Sequence, residues 1–165
     1  PARLRDIPDV KDAVVTQLKV IEVAAQRLAQ NKLRDKTILS SWSALMAYCK
    51  TKMARLEREE FRILFLDRKN VLIADEEQAR GTVDHVPVYP REIARRALEL
   101  QASSLILVHN HPSGDPQPSQ ADIDMTRKIV DACRVMSITV HDHLIVGFGR
   151  EKNAFSMRAA GMLSD

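Results

Sequence analysis

Cysteine and aromatic residues are scarce: the 165-residue chain has two cysteines, and Phe, Trp and Tyr together make up 4%. Cys49 and Cys133 match neither the spacing of a metal-binding pair nor a disulfide framework. Each lies in a helix-like apolar pattern, so both read as buried structural thiols, and the chain as a reduced, cytoplasmic one. With so few rings, the core must be built from Leu, Ile, Val and Ala. No apolar run reaches the roughly 18 residues of a membrane-spanning helix, and the N-terminus has no signal-peptide core. Charge of one sign is not in excess either. Lys and Arg number 25 against 22 Asp and Glu, for a net +3, and the two signs are interleaved. That balance does not by itself argue for nucleic acid. Repeats and low-complexity tracts are missing, as is an initiator Met: Pro1 opens the chain in mid-pattern, which is expected of a fragment or a processed protein.

What is present is the profile of a globular domain with a short appendage, 45% hydrophobic and 28% charged. From about Val10 to Gln30, Val14, Leu18, Ile21, Ala25 and Leu28 recur at helical spacing. Asn31 to Thr37 reads as a charged linker. Ser40 or Ser41 can cap a second helix running to about Arg58, with Trp42, Leu45, Met46, Cys49 and Met53 on its stripe. The period then changes. Phe61 to Leu66 is a strand, Arg68 to Asn70 a turn, and Val71 to Ala74 a second strand before the acidic residues Asp75 to Glu77. Gly81-Thr82-Val83 opens another extended stretch. Pro90 can start a helix whose apolar face carries Ile93, Ala94, Ala97 and Leu98. Leu105 to Val108 is an unbroken apolar run, as in a strand covered on both faces. A loop punctuated by Pro and Gly follows, His109 to Pro118, then a helix from Ser119 to about Met136 and a strand from Ile138 to Val146. Strands alternating with helices predict a layered α/β domain.

The chemistry concentrates after Val108. Alternate residues of a strand share a face, so His109 and His111 at a strand's end present two imidazoles to one side. They can converge on a single ion, since Zn–N bonds are only about 2.0–2.1 Å. The short stiff loop Pro112 to Pro118 returns the next helix to the strand end. Asp122, one turn into that helix, supplies a carboxylate that also gains from the helix dipole. A fourth position is left for water. Ser119 is an N-cap, with Asp122 three residues on as in a capping box. A second role for its hydroxyl is donation to the oxyanion formed when water attacks a carbonyl.

The string His109-x-His111, seven residues, Ser119, two residues, Asp122 resembles the JAMM signature of JAB/MPN-domain metalloproteases. His109-Asn110-His111-Pro112-Ser113-Gly114-Asp115-Pro116 is similar to the bacterial RadC family in particular. So are Gly81-Thr82-Val83, Val88-Tyr89-Pro90-Arg91-Glu92 and Asp142-His143-Leu144-Ile145-Val146-Gly147, and the likeness runs from about Ile38 to Leu163. It implies a mixed curved sheet flanked by helices, the MPN or cytidine-deaminase-like layered fold, over residues 36–165. Residues 1–35 would be a helical segment left from a helix-hairpin-helix module. The resemblance further implies one Zn2+ on His109, His111 and Asp122, and a metal-activated water attacking a peptide or isopeptide carbonyl. It implies a glutamate where the first helix meets the first strand. The acid two residues ahead of the strand's first aromatic is Glu59, with Glu60 as the alternative. Its role would be general base, and without the resemblance it reads as one solvated residue of the charged stretch Arg55 to Glu60.

Three rivals remain. A nucleobase deaminase wants His-x-Glu followed by Pro-Cys-x-x-Cys, whereas the residue two after His109 is His111 and the cysteines are unpaired. A DNA-associated protein is implied by the family's traditional tie to repair. Yet Ile7-Pro8-Asp9-Val10-Lys11-Asp12, which looks like the end of a hairpin module, puts Asp9 and Asp12 where phosphate would approach, so DNA would need a missing N-terminal portion. The third rival is an inactive site kept as a scaffold. The second pair, His141-Asp142-His143, has no third ligand at useful distance. His143 or Asp142 is expected to hold the ligands of the neighbouring site in orientation, with Asp142 on the opposite face. His85 reads as a solvated loop residue. The substrate, a peptide or protein, is not specified.

Overall fold

The computed structural model describes residues 7, 10–34, 42–53, 56–80, 88–148 and 154–163. Four helices and five strands are present among them: α1 (Asp12–Arg34), α2 (Trp42–Met53), β1 (Glu60–Leu66), β2 (Leu72–Arg80), α3 (Pro90–Glu99), β3 (Ser104–Asn110), α4 (Gln120–Arg134), β4 (Thr139–Val146) and β5 (Ala154–Ser156). The strands form one mixed open sheet in the order β2-β1-β3-β4-β5. Only β3 and β4 run parallel, and α4 connects them; β1 pairs antiparallel with both β2 and β3, and β4 with β5. This is an α/β layered domain.

β3 is the axis of the sheet. All seven of its residues are buried, as an unbroken apolar run requires when helices cover both faces. Leu105 and Leu107 join Phe61, Ile63 and Phe65 of β1 against Ile93 and Ala97 of α3 and Ile129 and Cys133 of α4. Ile106 and Val108 turn the other way. They pack with Leu64 and Leu66 against Leu45, Tyr48, Cys49 and Met53 of α2. Both cysteines are free and buried, one in each layer. No described helix is long and apolar enough to cross a membrane.

Several element ends differ from the sequence reading. α1 continues through Asn31 to Arg34, so part of the expected linker is helical. Its expected stripe is largely open to solvent, with Leu18 43%, Ile21 64% and Leu28 65% exposed, while Val15 is buried. Periodicity identifies an apolar face but not what covers it. α2 ends at Met53 rather than near Arg58. β2 continues through the acidic run to Arg80, because Asp75, Glu76 and Glu77 pair in register with Leu64, Ile63 and Arg62. Backbone pairing there outweighs the low strand propensity of acids. β3 extends through His109 and Asn110, which the sequence placed in the loop. β5 was not anticipated. Ser40, Ser41, Gly81-Thr82-Val83 and His85 lie outside the described residues.

Candidate metal centre

His109 and His111 stand at the end of β3, and α4 begins beside them. Two close contacts hold the intervening loop against the end of β4. The His111 N–H donates to the Val146 carbonyl at 2.9 Å, and the Phe148 N–H to the Gly114 carbonyl at 3.3 Å. Gly114 has φ +92, a backbone that L side chains rarely adopt, and a side-chain carbon at Gly147 would sit 2.1 Å from the Gly114 oxygen. Both glycines are therefore required for the loop to lie down on the sheet. Ser119 then caps α4: its Oγ accepts from the Asp122 N–H at 3.2 Å, and its own N–H donates to Asp122 Oδ2 at 2.7 Å. This is the reciprocal capping box anticipated from the sequence.

The result brings three acceptor groups together. His109 Nε2 lies 2.9 Å from His111 Nε2 and 3.2 Å from Asp122 Oδ1, and His111 Nε2 lies 3.5 Å from Asp122 Oδ2. The remaining nitrogens are committed elsewhere. His111 Nδ1 donates to the Asp115 carbonyl at 2.8 Å, which can only accept, so Nε2 keeps its lone pair.

His109 reaches the same state by a longer route. The Asp122 carbonyl can only accept, so the Thr126 hydroxyl, 2.6 Å away, donates to it. Thr126 Oγ1 must then accept from His143 Nδ1 at 2.5 Å. His143 Nε2, left with a lone pair, accepts from His109 Nδ1 at 2.7 Å. One chain of donors thus runs from His109 through His143 and Thr126 to the backbone of Asp122, and it turns the His109 Nε2 lone pair inward. It requires a neutral His143. Burial, aided by the neighbouring His109, pushes His143 well below the usual imidazole range.

Lone pairs facing each other and a carboxylate repel unless a cation sits among them. The separations suit one: a tetrahedron with Zn–N and Zn–O bonds near 2.0–2.1 Å has edges of about 3.3 Å. His109, His111 and Asp122 form a group able to hold a metal ion. The electrostatics agree. Burial lowers the His109 pKa, which favours the neutral ligand form. Burial works to raise the Asp122 carboxyl, but hydrogen bonds with His109, His111 and Ser119 outweigh it and hold the group ionised far into acid. His111 is raised, chiefly by its contact with Asp122, so a proton competes with the metal there.

Glu59 and Glu60 separate. Strand alternation puts Glu60 on the side of Arg62, and its Oε1 takes the Arg62 guanidinium at 2.6 Å in a buried pair. Glu59 lies just before β1, two residues ahead of Phe61, whose ring stacks on His109 with centroids 6.1 Å apart. The Glu59 charge is among those that raise His111.

The second histidine pair splits as well. The β3–β4 register steps by one residue between Leu105–Val140 and Ile106–Asp142, leaving His141 unpaired in the ladder. The step places His143 beside His109, while His141 Nε2 meets Asn70 Oδ1 at 2.6 Å. Asp142 points away and anchors the segment after β5, accepting from the Arg158 N–H at 2.9 Å. Thr126 was missed in the sequence. Thr126 was findable, because it sits four residues after Asp122 and therefore on the same helix face.

A mixed sheet with a His-x-His pair at the end of its central strand, and an acid from the following helix, defines a JAB-domain protein. The chain matches the RadC-like JAB domain over residues 39–162. It is 62% identical over 163 residues to a UPF0758 protein of Rhodobacter capsulatus, covering 99% of this chain and 75% of that one. A UPF0758 protein of Ruegeria pomeroyi is 60% identical over 161 residues, covering 98% and 70%. The chain belongs to the RadC family.

Proposed function

We propose that this protein is a zinc-dependent amide hydrolase of the JAMM type, acting on a peptide or isopeptide carbonyl. The observation that carries the reading is the convergence of His109 Nε2, His111 Nε2 and the Asp122 carboxylate as acceptors, with the outer nitrogen of each imidazole already donating. Those three residues would hold the ion. Bound there, zinc would supply Lewis acidity, enough to bring the pKa of a water from about 15.7 toward about 7.

Glu59 would take the proton from the attacking water and pass it to the leaving amine. Its place just before β1 and its influence on His111 support this role, whereas Glu60 is occupied by Arg62. Ser119 would donate to the developing oxyanion. Its hydroxyl has one proton, now given to Asp122 Oδ2 at 2.7 Å. The Ser119 N–H reaches the same oxygen, so that acceptor stays satisfied when the hydroxyl turns to the substrate.

The test is zinc analysis paired with a fluorogenic peptide-library screen. Wild type should bind one zinc per chain, and His109→Ala or His111→Ala should lose it. Glu59→Gln should keep the zinc and lose at least about 100-fold in turnover. Undiminished turnover by Glu59→Gln would remove that residue from the reaction.

A further inference from the structure

We propose that Asn110 is the positioning residue for the catalytic glutamate, its carboxamide bracketing residue 59 from both sides; this rests on the reading of Glu59 as the base. The β1–β3 ladder stops at the pair Phe61 and His109. Beyond it, β3 no longer pairs with the chain that carries Glu59, and on the other side β2 reaches only Glu60, opposite Arg80. Asn110 takes over that work. Its Oδ1 accepts from the Glu60 N–H at 2.9 Å, and its Nδ2 donates to the Arg58 carbonyl at 3.1 Å. The backbone on either side of Glu59 is thus tied to one side chain, as a neighbouring strand's amide and carbonyl would tie it.

Only a carboxamide of this length suits both partners. The Glu60 N–H can only donate and the Arg58 carbonyl can only accept, so the orientation of the Asn110 amide is determined by its partners. Aspartate would keep the first bond and oppose a lone pair to the second. Alanine would leave both backbone groups without the side chain that serves them. Asn110 is 1% exposed, so solvent does not readily replace it.

The position of Asn110 in the chain gives the bracket its consequence. It lies between His109 and His111, and strand alternation turns its side chain to the opposite face of the sheet from theirs. One three-residue stretch therefore holds two acceptors of the metal centre on one side and the segment of the base on the other. The spacing between base and metal centre is set through Asn110 rather than through either ligand.

The experiment compares Asn110→Asp and Asn110→Ala with wild type, each as the zinc-loaded full chain. Zinc stoichiometry should stay at one. Amide exchange at Glu60 should accelerate strongly in Asn110→Ala and only weakly in Asn110→Asp, which retains the acceptor. With the fluorogenic peptide library as probe, kcat should fall about 100-fold in both variants with KM little changed, the loss expected of a base displaced by about 1 Å. Introduced into Glu59→Gln, Asn110→Asp should cost nothing further, because it acts only through Glu59. A residue needed merely for folding would still lower activity in that background. Full additivity in the double variant, or Glu60 exchange unchanged in Asn110→Ala, overturns the proposal. If wild type cleaves no peptide, the hydrolase reading fails on that result. The crystallographic place of Glu59 in zinc-loaded Asn110→Asp, shifted or unshifted, then decides the bracket by itself.

Discussion

His143 illustrates how much a single buried side chain contributes to a site it does not enter. It has no lone pair facing the three acceptors, yet it determines which nitrogen of His109 carries the proton. His143→Ala should leave the fold in place and weaken zinc binding about 10–100-fold, measured by competition with a chromophoric chelator. Thr126→Val should act in the same direction, since it removes the acceptor of His143 Nδ1. Zinc affinities equal to wild type in both variants would show that the donor chain does not orient His109. Phe61 adds to the same environment, meeting His143 edge-on with centroids 5.5 Å apart and closing the apolar side of the pair. The spacing of His109, His111 and Asp122 was legible in the sequence because strand and helix periods are local. The His143 partnership was legible only as a direction, because the register step at His141 depends on how β4 pairs with β3.

Among the elements, the loop between β3 and α4 does most to assemble the centre. It must turn back sharply enough to bring Asp122 within reach of two histidines on the preceding strand. Its contact with the end of β4 is close enough that Gly147 tolerates no side chain. Gly147→Ala should push the Gly114 carbonyl and displace both the Asp115 carbonyl and the start of α4. We expect a loss of about 1–3 kcal/mol in stability from the overpacking, together with weaker zinc binding. A variant that melts and binds zinc as wild type does would mean the loop is free to slide. The Pro and Gly punctuation marked this loop in the sequence, but its landing site on Gly147 and Phe148 could not be read there. Likewise β2 looked too acidic to continue past Ala74, and pairing with β1 carried it to Arg80.

At the scale of the molecule, the acidic run of β2 is tied into the α2 layer by a buried polar cluster. Asp75 accepts from Lys52 at 2.7 Å and from Arg62 at 2.8 Å, with its side chain 0% exposed, and Tyr48 donates to it as well. Burial tends to raise the Asp75 carboxyl, but Arg62, Lys52 and Tyr48 prevail and lower it from its ordinary 3.8. A depressed carboxyl stabilises the fold above its unfolded value, and that contribution is lost as pH falls through the folded one. Asp75→Asn should therefore cost about 3 kcal/mol at pH 7, and the gap to wild type should narrow as pH drops below about 4. Urea melts at pH 7 and pH 3 check this; a gap independent of pH would place the stabilisation elsewhere. Composition and hydrophobic period alone determined that the chain is a layered α/β domain, and the His-x-His to Asp spacing alone marked where its chemistry lies. These are properties of residues close in sequence, where strand and helix geometry fixes relative direction. Tertiary structure decided that Glu60 is taken by Arg62, which histidine of the second pair stands beside His109, and what Asn110 holds. Each of those depends on register between strands distant in the chain, and a shift of one residue reverses which side of the sheet a side chain meets.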